Sequence, residues 1–272
     1  MRWKQGEVFT TEAELASILE QAALNRTAVG KLTDLFPIDV QAAYRVQREN
    51  ISRRRSRGER IVGVKMGFTS TAKMAQMGVD DVIWGILTDA MTMSEDACDL
   101  GGLIQPKVEP ELVFRLGRRV DSADDVESAV DAVAVGFEIL DSRFEGYNFT
   151  LPDVIADNAS AAGFGTGPWH ELSAVPGAGA VPGAGAVPDI SDLSVTLSVN
   201  GEVAQSGSTK AILGDPWESL RSAARLATQS GLALEPGWIV LAGGITEAIP
   251  LTPGTRITVT AAELGTAELR TR

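Results

Sequence analysis

The apolar positions of this chain change their period near residue 60. In "TEAELASILEQAAL" (residues 11–24), Leu15, Ile18, Leu19 and Ala22 share one side of a helix. A second helix follows Asp39, whose carboxylate is placed to cap it, and runs through "VQAAYRVQRENISRRR". Its basic end, Arg53 to Arg57, sits where the helix dipole favours cations, so a solvated terminus accounts for the run. From "RIVGVKMGFTS" onward the pattern becomes short β-rich segments broken by Gly and Pro. Within them "SADDVESAVDAV" reads as one helix, with Ser122 and Asp125 at capping-box spacing. It feeds the strand "AVAVGFEILDS". There Val133, Val135, Phe137 and Ile139 face one way, and Ala134, Gly136 and Glu138 the other. A later helix, "DPWESLRSAARLATQSG", has Asp215 as cap, Pro216 in its first turn, Glu218 at the reciprocal capping position and Gly231 as terminator. Three strands close the sequence, "GWIVLAGGI", "LTPGTRITVTA" and "GTAELRTR", with turns at Pro253-Gly254 and Leu264-Gly265. The pattern predicts a helical region over residues 1–60 and a β-rich α+β body over 61–272.

One stretch obeys neither period. Residues 174–188, "AVPGAGAVPGAGAVP", repeat a six-residue unit twice and begin a third. Gly-rich loops cradle phosphate when a helix start follows, but none follows here, so the stretch reads as a flexible loop insertion.

Composition narrows the function. An apolar fraction of 44% supports a sizeable core, and a net charge of −12 disfavours a nucleic-acid partner. No run of about 18 apolar residues suggests a membrane span. "MRWKQGEVFT" lacks the apolar core of a signal peptide, and Cys98 is the sole cysteine, so a reducing cytoplasm is expected. His170, in "GTGPWH", is the only histidine. A Ser-His-Asp triad, a Cys-His dyad or a multi-histidine zinc site would each have to be built on it. Its Gly/Pro context favours a surface role, leaving acid-base work to carboxylates, lysine or a metal-bound oxygen.

The carboxylates that stand out lie in "QPKVEPELV" (residues 105–113). Glu109 and Glu111 point to one face of a strand, while Pro110 points to the other and withholds a ladder donor, as at an edge, bulge or strand end. Adjacent carboxylates repel, and one must protonate unless a cation lies between them. The pair is therefore either a solvated strand face or half of a metal site. Glu138, on the small-residue face of an apolar strand, also needs a cation or a proton. Three oxygen ligands without histidine or thiolate select a hard ion, Mg²⁺ or Mn²⁺. Lys65 is the only charge in "GVKMGFTS", which fits an active-site group or a snorkelling strand lysine. Asp157, Asn158 and Ser160, in "DVIADNASAAGFGTG", fit a close polar loop or ordinary turn chemistry.

Five segments in order, "GVKMGFTS", "IQPKVEPELVF", "FEILDSRFEGYNF", "DVIADNASAAGFGTGPW" and "IVLAGGITEAIPL", resemble the fumarylacetoacetate hydrolase superfamily. The resemblance is to its hydratase/decarboxylase branch, which acts in meta-cleavage degradation of aromatic compounds, and runs from about Arg60 onward. It implies a β-rich mixed roll, with Glu109, Glu111 and Glu138 as metal ligands and Lys65 as the active-site lysine. By the same resemblance Ser160 is expected to hydrogen-bond a bound keto acid, with Asp157 and Asn158 fixing the loop around it. Those two residues, with Thr69, Gly244 and Thr246, form the expected substrate-binding surface. Arg143, in "LDSR", holds a carboxylate or pairs with a neighbour, and the structural role is preferred. Hydrolases of the superfamily use a His-Glu pair to activate water, which His170 is not placed to supply.

Within the branch, "KMGFTSTAKMAQMGVDDVIWGILTDAM" and "SRFEGYNFTLPDVIADN" resemble the decarboxylases. Hydratases tend to carry an acidic residue before an aromatic-Gly pair, where this chain has Ile83 before Trp84-Gly85. The expected activity is Mg²⁺- or Mn²⁺-dependent decarboxylation of 2-oxo-3-hexenedioate, an unsaturated 2-oxo dicarboxylate. Hydration of 2-hydroxypenta-2,4-dienoate is the alternative, and a non-catalytic scaffold for a sister hydratase is the non-enzyme reading. A homo-oligomer and association with a sister hydratase are the expected assemblies.

Overall fold

The computed structural model describes residues 11–70, 74–75, 78–93, 98–172 and 189–272. Helix α1 (Glu12–Asn25) opens with a capping box between Thr11 and Glu14 and closes on Arg26 in the left-handed conformation. Helix α2 (Val40–Ser56) starts where the Asp39 carboxylate accepts the Ala42 N–H at 2.7 Å. The basic run at its end does more than face solvent. Arg53 pairs with Glu20 and Glu49, Arg54 with Glu59, and Arg57 with Glu20, which ties α2 to α1.

Among the described residues twelve strands follow: β1 (Ile61–Gly67), β2 (Ile83–Thr88), β3 (Lys107–Leu116), β4 (Val130–Leu140), β5 (Ala161–Thr166), β6 (His170–Glu171), β7 (Ser194–Val199), β8 (Glu202–Ser208), β9 (Ile239–Gly244), β10 (Ile249–Pro250), β11 (Arg256–Ala261) and β12 (Gly265–Arg270). They form an eight-stranded sheet of order β2-β1-β9-β3-β4-β5, with β10 on β3 and β6 on β4, and a four-stranded sheet β12-β11-β7-β8. Only the β1–β9 pair is parallel among the described strands. Among the described residues two further helices are α3 (Leu151–Ala156) and α4 (Pro216–Ser230); α4 is capped by Asp215 and stopped by left-handed Gly231. Glu218, at the reciprocal capping position, pairs with Arg221.

Side-chain alternation gives the large sheet two unlike faces. Val64, Met66, Val108, Leu112, Phe114, Val133, Val135 and Phe137 join Leu197, Val259, Leu269 and the α4 residues Leu220 and Ala223 in the main core. The other face carries Lys65, Glu109, Glu111 and Glu138 beside a smaller cluster of Leu87, Val113, Phe164 and Leu241. Helices α1 and α2 share a third cluster with Ile83, Phe144, Val154 and Ile155, so the helical region rests against the β body. Gln47 of α2 is buried there and donates to the carbonyls of Trp84 and Ile155.

The helix expected over "SADDVESAVDAV" does not form. Two single turns, Ala123–Asp125 and Glu127–Ala129, precede β4, which already begins at Val130. Residues 130–133 pair with β3 instead, Val130 with Leu116 and Val133 with Phe114. Burial of those valines in the sheet outweighs a local capping pattern. The repeat at 174–188 lies outside the described residues.

Candidate metal centre

The register of β3 against β4 assembles the three glutamates. Glu109 lies directly opposite Glu138, and Glu111 opposite Gly136, so all three carboxylates emerge on one face. One carboxylate oxygen from each lies within 4.8 Å of the others, and all three residues are buried. Pro110 sits on a central strand rather than an edge. There the β3–β9 register slips between Glu111 and Val113, and its carbonyl accepts the Ile245 N–H at 2.9 Å. The slip is a bulge at Ala242-Gly243 of β9, and it aims the Gly243 N–H at Glu111 Oε2, 2.5 Å away.

Two glycines make room for this arrangement. Gly243 has φ +128°, and a Cβ there would lie 1.9 Å from Thr69 Oγ1. A Cβ on Gly244 would lie 2.3 Å from Glu109 Oε2. Gly244 thus lies beneath Glu109, and Thr69 lies over the peptide that holds Glu111. Thr246 is half-buried at the rim, donates to the Glu247 carbonyl at 3.2 Å and lies against Gly207.

Lys65 does not snorkel. It is 3% exposed, with Nζ 3.0 Å from Glu138 Oε2 and 3.0 Å from the Ala159 carbonyl. Three carboxylates around one ammonium leave an excess of negative charge in a site closed to water. Burial, then the charges of Glu138 and Glu109, push the Glu111 carboxyl well above its usual range. Its Oε1 is buried and accepts no hydrogen bond among the described residues. Hard oxygen donors, surplus negative charge and an orphaned carboxylate oxygen all fit a divalent cation of the Mg²⁺ type.

The polar loop after α3 is more tightly wound than turn chemistry requires. Asn158, Ala159 and Ser160 are consecutively left-handed, with φ of 53°, 52° and 58°. That conformation costs on the order of 1–2 kcal/mol per non-glycine residue. Asp157 is buried and paired with Arg143, which also donates to the Asp141 and Asp157 carbonyls. Burial pushes the Asp157 carboxyl up to about 6 despite that partner. Arg143 therefore has the structural role preferred from sequence. The Ser160 hydroxyl lies 3.4 Å from Asp157 Oδ2, within the same network. The Asn158 amide accepts from the Ile86 N–H at 2.8 Å and donates to the Ile86 carbonyl at 2.9 Å. The roles of Gly243 and the Ala159 carbonyl act through backbone atoms, so no side-chain motif marks them. His170 pairs with Val133, on the order of 15 Å along β4 from Glu138.

Residues 60–272 match the family described as fumarylacetoacetate (FAA) hydrolase C-terminal. The chain belongs to the fumarylacetoacetate hydrolase family. Among relatives within that family, a 4-oxalocrotonate decarboxylase of a Pseudomonas species is 42% identical over 263 residues, covering 95% of this chain and 97% of the relative. A 2-keto-4-pentenoate hydratase of Paraburkholderia xenovorans is 35% identical over 247 residues, covering 89% of this chain and 87% of the relative. A solved structure of the fumarylacetoacetate hydrolase fold superposes with a TM-score of 0.87 at 37% identity, covering 96% of this chain and 97% of the other. It is a 4-oxalocrotonate decarboxylase from Pseudomonas putida, complexed with magnesium and adipate.

Proposed function

We propose that this protein decarboxylates 2-oxo-3-hexenedioate (4-oxalocrotonate) to 2-hydroxypenta-2,4-dienoate and CO2, with a divalent cation, Mg²⁺ or Mn²⁺, held by Glu109, Glu111 and Glu138. The observation that carries the reading is the buried three-glutamate cluster facing Lys65, in a chain 42% identical to a 4-oxalocrotonate decarboxylase. A cation in that cluster supplies Lewis-acid polarisation of a 2-oxo acid, worth several kcal/mol of charge stabilisation. The chain's own groups supply the rest. Glu111 is oriented by the Gly243 N–H, and Glu109 is seated over Gly244. As the bond to the far carboxylate breaks, its electron pair moves through the conjugated chain to the keto oxygen. Lys65 Nζ, fixed beside Glu138, provides positive charge and a transferable proton for the enolate. The small cluster of Leu87, Val113, Phe164 and Leu241 keeps that face dry, which strengthens each electrostatic contact.

Ile83 favours decarboxylation over hydration. Its side chain is buried in the helical cluster and against Gly67, so no proton carrier for water addition stands at that position. The proposal includes Ser160 as a hydrogen-bond donor to the bound keto acid, with Thr69, Asp157, Gly244 and Thr246 shaping the surface around it. It also assigns residues 1–60 to a helical region and 61–272 to the catalytic body. A homo-oligomer, association with a sister hydratase and a cytoplasmic setting belong to the same proposal. Among the described residues no helix is long and apolar enough to cross a membrane.

The test is turnover of 2-oxo-3-hexenedioate and of 2-hydroxypenta-2,4-dienoate with Mg²⁺, with EDTA, and in Glu109→Gln. CO2 release that stops in EDTA and in the variant supports the reading. Full activity in EDTA removes the metal from it. Formation of 4-hydroxy-2-oxopentanoate without CO2 makes the protein a hydratase. Absence of turnover, with stabilisation of a sister hydratase, makes it a scaffold.

A further inference from the structure

We infer that Asn158 is a positioning residue for Lys65, and not a substrate contact. The inference rests on the decarboxylase reading only for the role of Lys65; the geometry itself is independent of it. Both polar atoms of the Asn158 side chain are already engaged, Oδ1 by the Ile86 N–H and Nδ2 by the Ile86 carbonyl. Asn158 thereby mimics a neighbouring strand along the outer edge of β2. This clamp starts the left-handed run Asn158–Ser160, whose middle residue presents its carbonyl to Lys65 Nζ at 3.0 Å. Asparagine enters the left-handed region more readily than most residues, whereas Ala159 and Ser160 have no such preference. The run therefore needs an external anchor, and the Ile86 clamp supplies one.

A second residue belongs to the device. Gly85 lies opposite Lys65 in the β1–β2 pair, and a Cβ there would meet the Asn158 carbonyl at 2.6 Å and the Lys65 stem at 3.1 Å. Only a glycine lets the left-handed run lie flat on β2 beside the lysine stem. Lys65 Nζ is thus placed between the Ala159 carbonyl on one side and Glu138 on the other. A lysine has three donors on a flexible stem, and two fixed acceptors remove most of its freedom.

The experiment uses the full magnesium-loaded protein and the variants Asn158→Ala and Asn158→Gly. Glycine keeps the left-handed backbone while deleting the clamp, and so serves where Asn158→Ala fails to fold. Three quantities are read: kcat and KM for 2-oxo-3-hexenedioate, the Kd of adipate by calorimetry, and the rate of Lys65 acetylation by an amine-reactive reagent, followed by peptide mass spectrometry. The expected result is a kcat lowered roughly tenfold to a hundredfold, with KM and adipate affinity within about threefold of the parent. Lys65 should be acetylated several-fold faster once its second acceptor is displaced. A rise in KM and a matching loss of adipate affinity, with kcat retained, would make Asn158 a substrate contact and overturn the inference. An unchanged acetylation rate would overturn it as well. If the parent protein turns over no 2-oxo-3-hexenedioate, the functional reading fails, but acetylation of Lys65 still decides the positioning role.

Discussion

Glu111 is fully buried beside two other carboxylates, so charge removal and cation binding act on it in opposite directions. Glu111→Gln spares the metal-free protein the cost of burying an ionisable carboxyl beside two others, whether met as charge or as proton uptake, and should raise the melting temperature in EDTA. The same variant should lose most of the melting-temperature gain on adding Mg²⁺, because it removes a ligand. A thermal scan with and without Mg²⁺ separates the two effects. Asp157 gives a pH signature. Burial raises its carboxyl from the ordinary 3.8 to about 6, so the folded state holds this proton more tightly than the unfolded chain. Its contribution to stability is full below 3.8 and is lost as pH rises through 6, up to about 3 kcal/mol. Asp157→Asn should remove this slope, leaving a uniform cost from the unpaired Arg143. Urea unfolding at pH 4, 5, 6 and 7 measures it: the loss should approach ~1.4 kcal/mol per pH unit between the two values and level off above about 6.

At the scale of elements, β3 and its neighbour β9 were both legible as strands, and the bulge that shapes β9 was not. The E-x-E spacing in "VEPELV" and the apolar alternation of "AVAVGFEIL" both follow from the two-residue period of a strand, and their pairing brings Glu109 opposite Glu138. The bulge at Ala242-Gly243 depends on which strand lies alongside, and "AGGI" alone does not say so. The left-handed run likewise depends on a glycine, Gly85, more than seventy residues earlier. "SADDVESAVDAV" misled in the opposite direction, because local capping chemistry was present and a long-range partner, β3, overrode it. Gly244→Ala tests the bulged end of β9. Its Cβ would fall on the Glu109 carboxylate, so Mg²⁺ affinity should drop roughly 10–100-fold in calorimetry while the far-ultraviolet circular dichroism is kept.

For the whole molecule, the order β2-β1-β9-β3-β4-β5 joins strands from both ends of the chain, and no local pattern encodes it. What sequence did carry at this scale was the division of texture near residue 60 and the sign of the charge. A net −12 chain with carboxylates at its centre should gain stability from a divalent cation well beyond ionic screening. Mg²⁺ at about one hundred times its Kd should add roughly 2.7 kcal/mol, and KCl at equal ionic strength should not reproduce the gain. Differential scanning calorimetry across a Mg²⁺ series reads this directly. The outer rim of the large sheet has a bearing on self-association. Trp84 and Ile86 of β2 already have their outward backbone groups taken by Tyr44, Gln47 and Asn158. Along Trp84 and Ile86 that border offers little free template to a foreign strand, which guards against fibre-like growth from this stretch. An assembly of this protein is therefore favoured through side-chain surfaces or another margin over continuation of the sheet past the middle of β2.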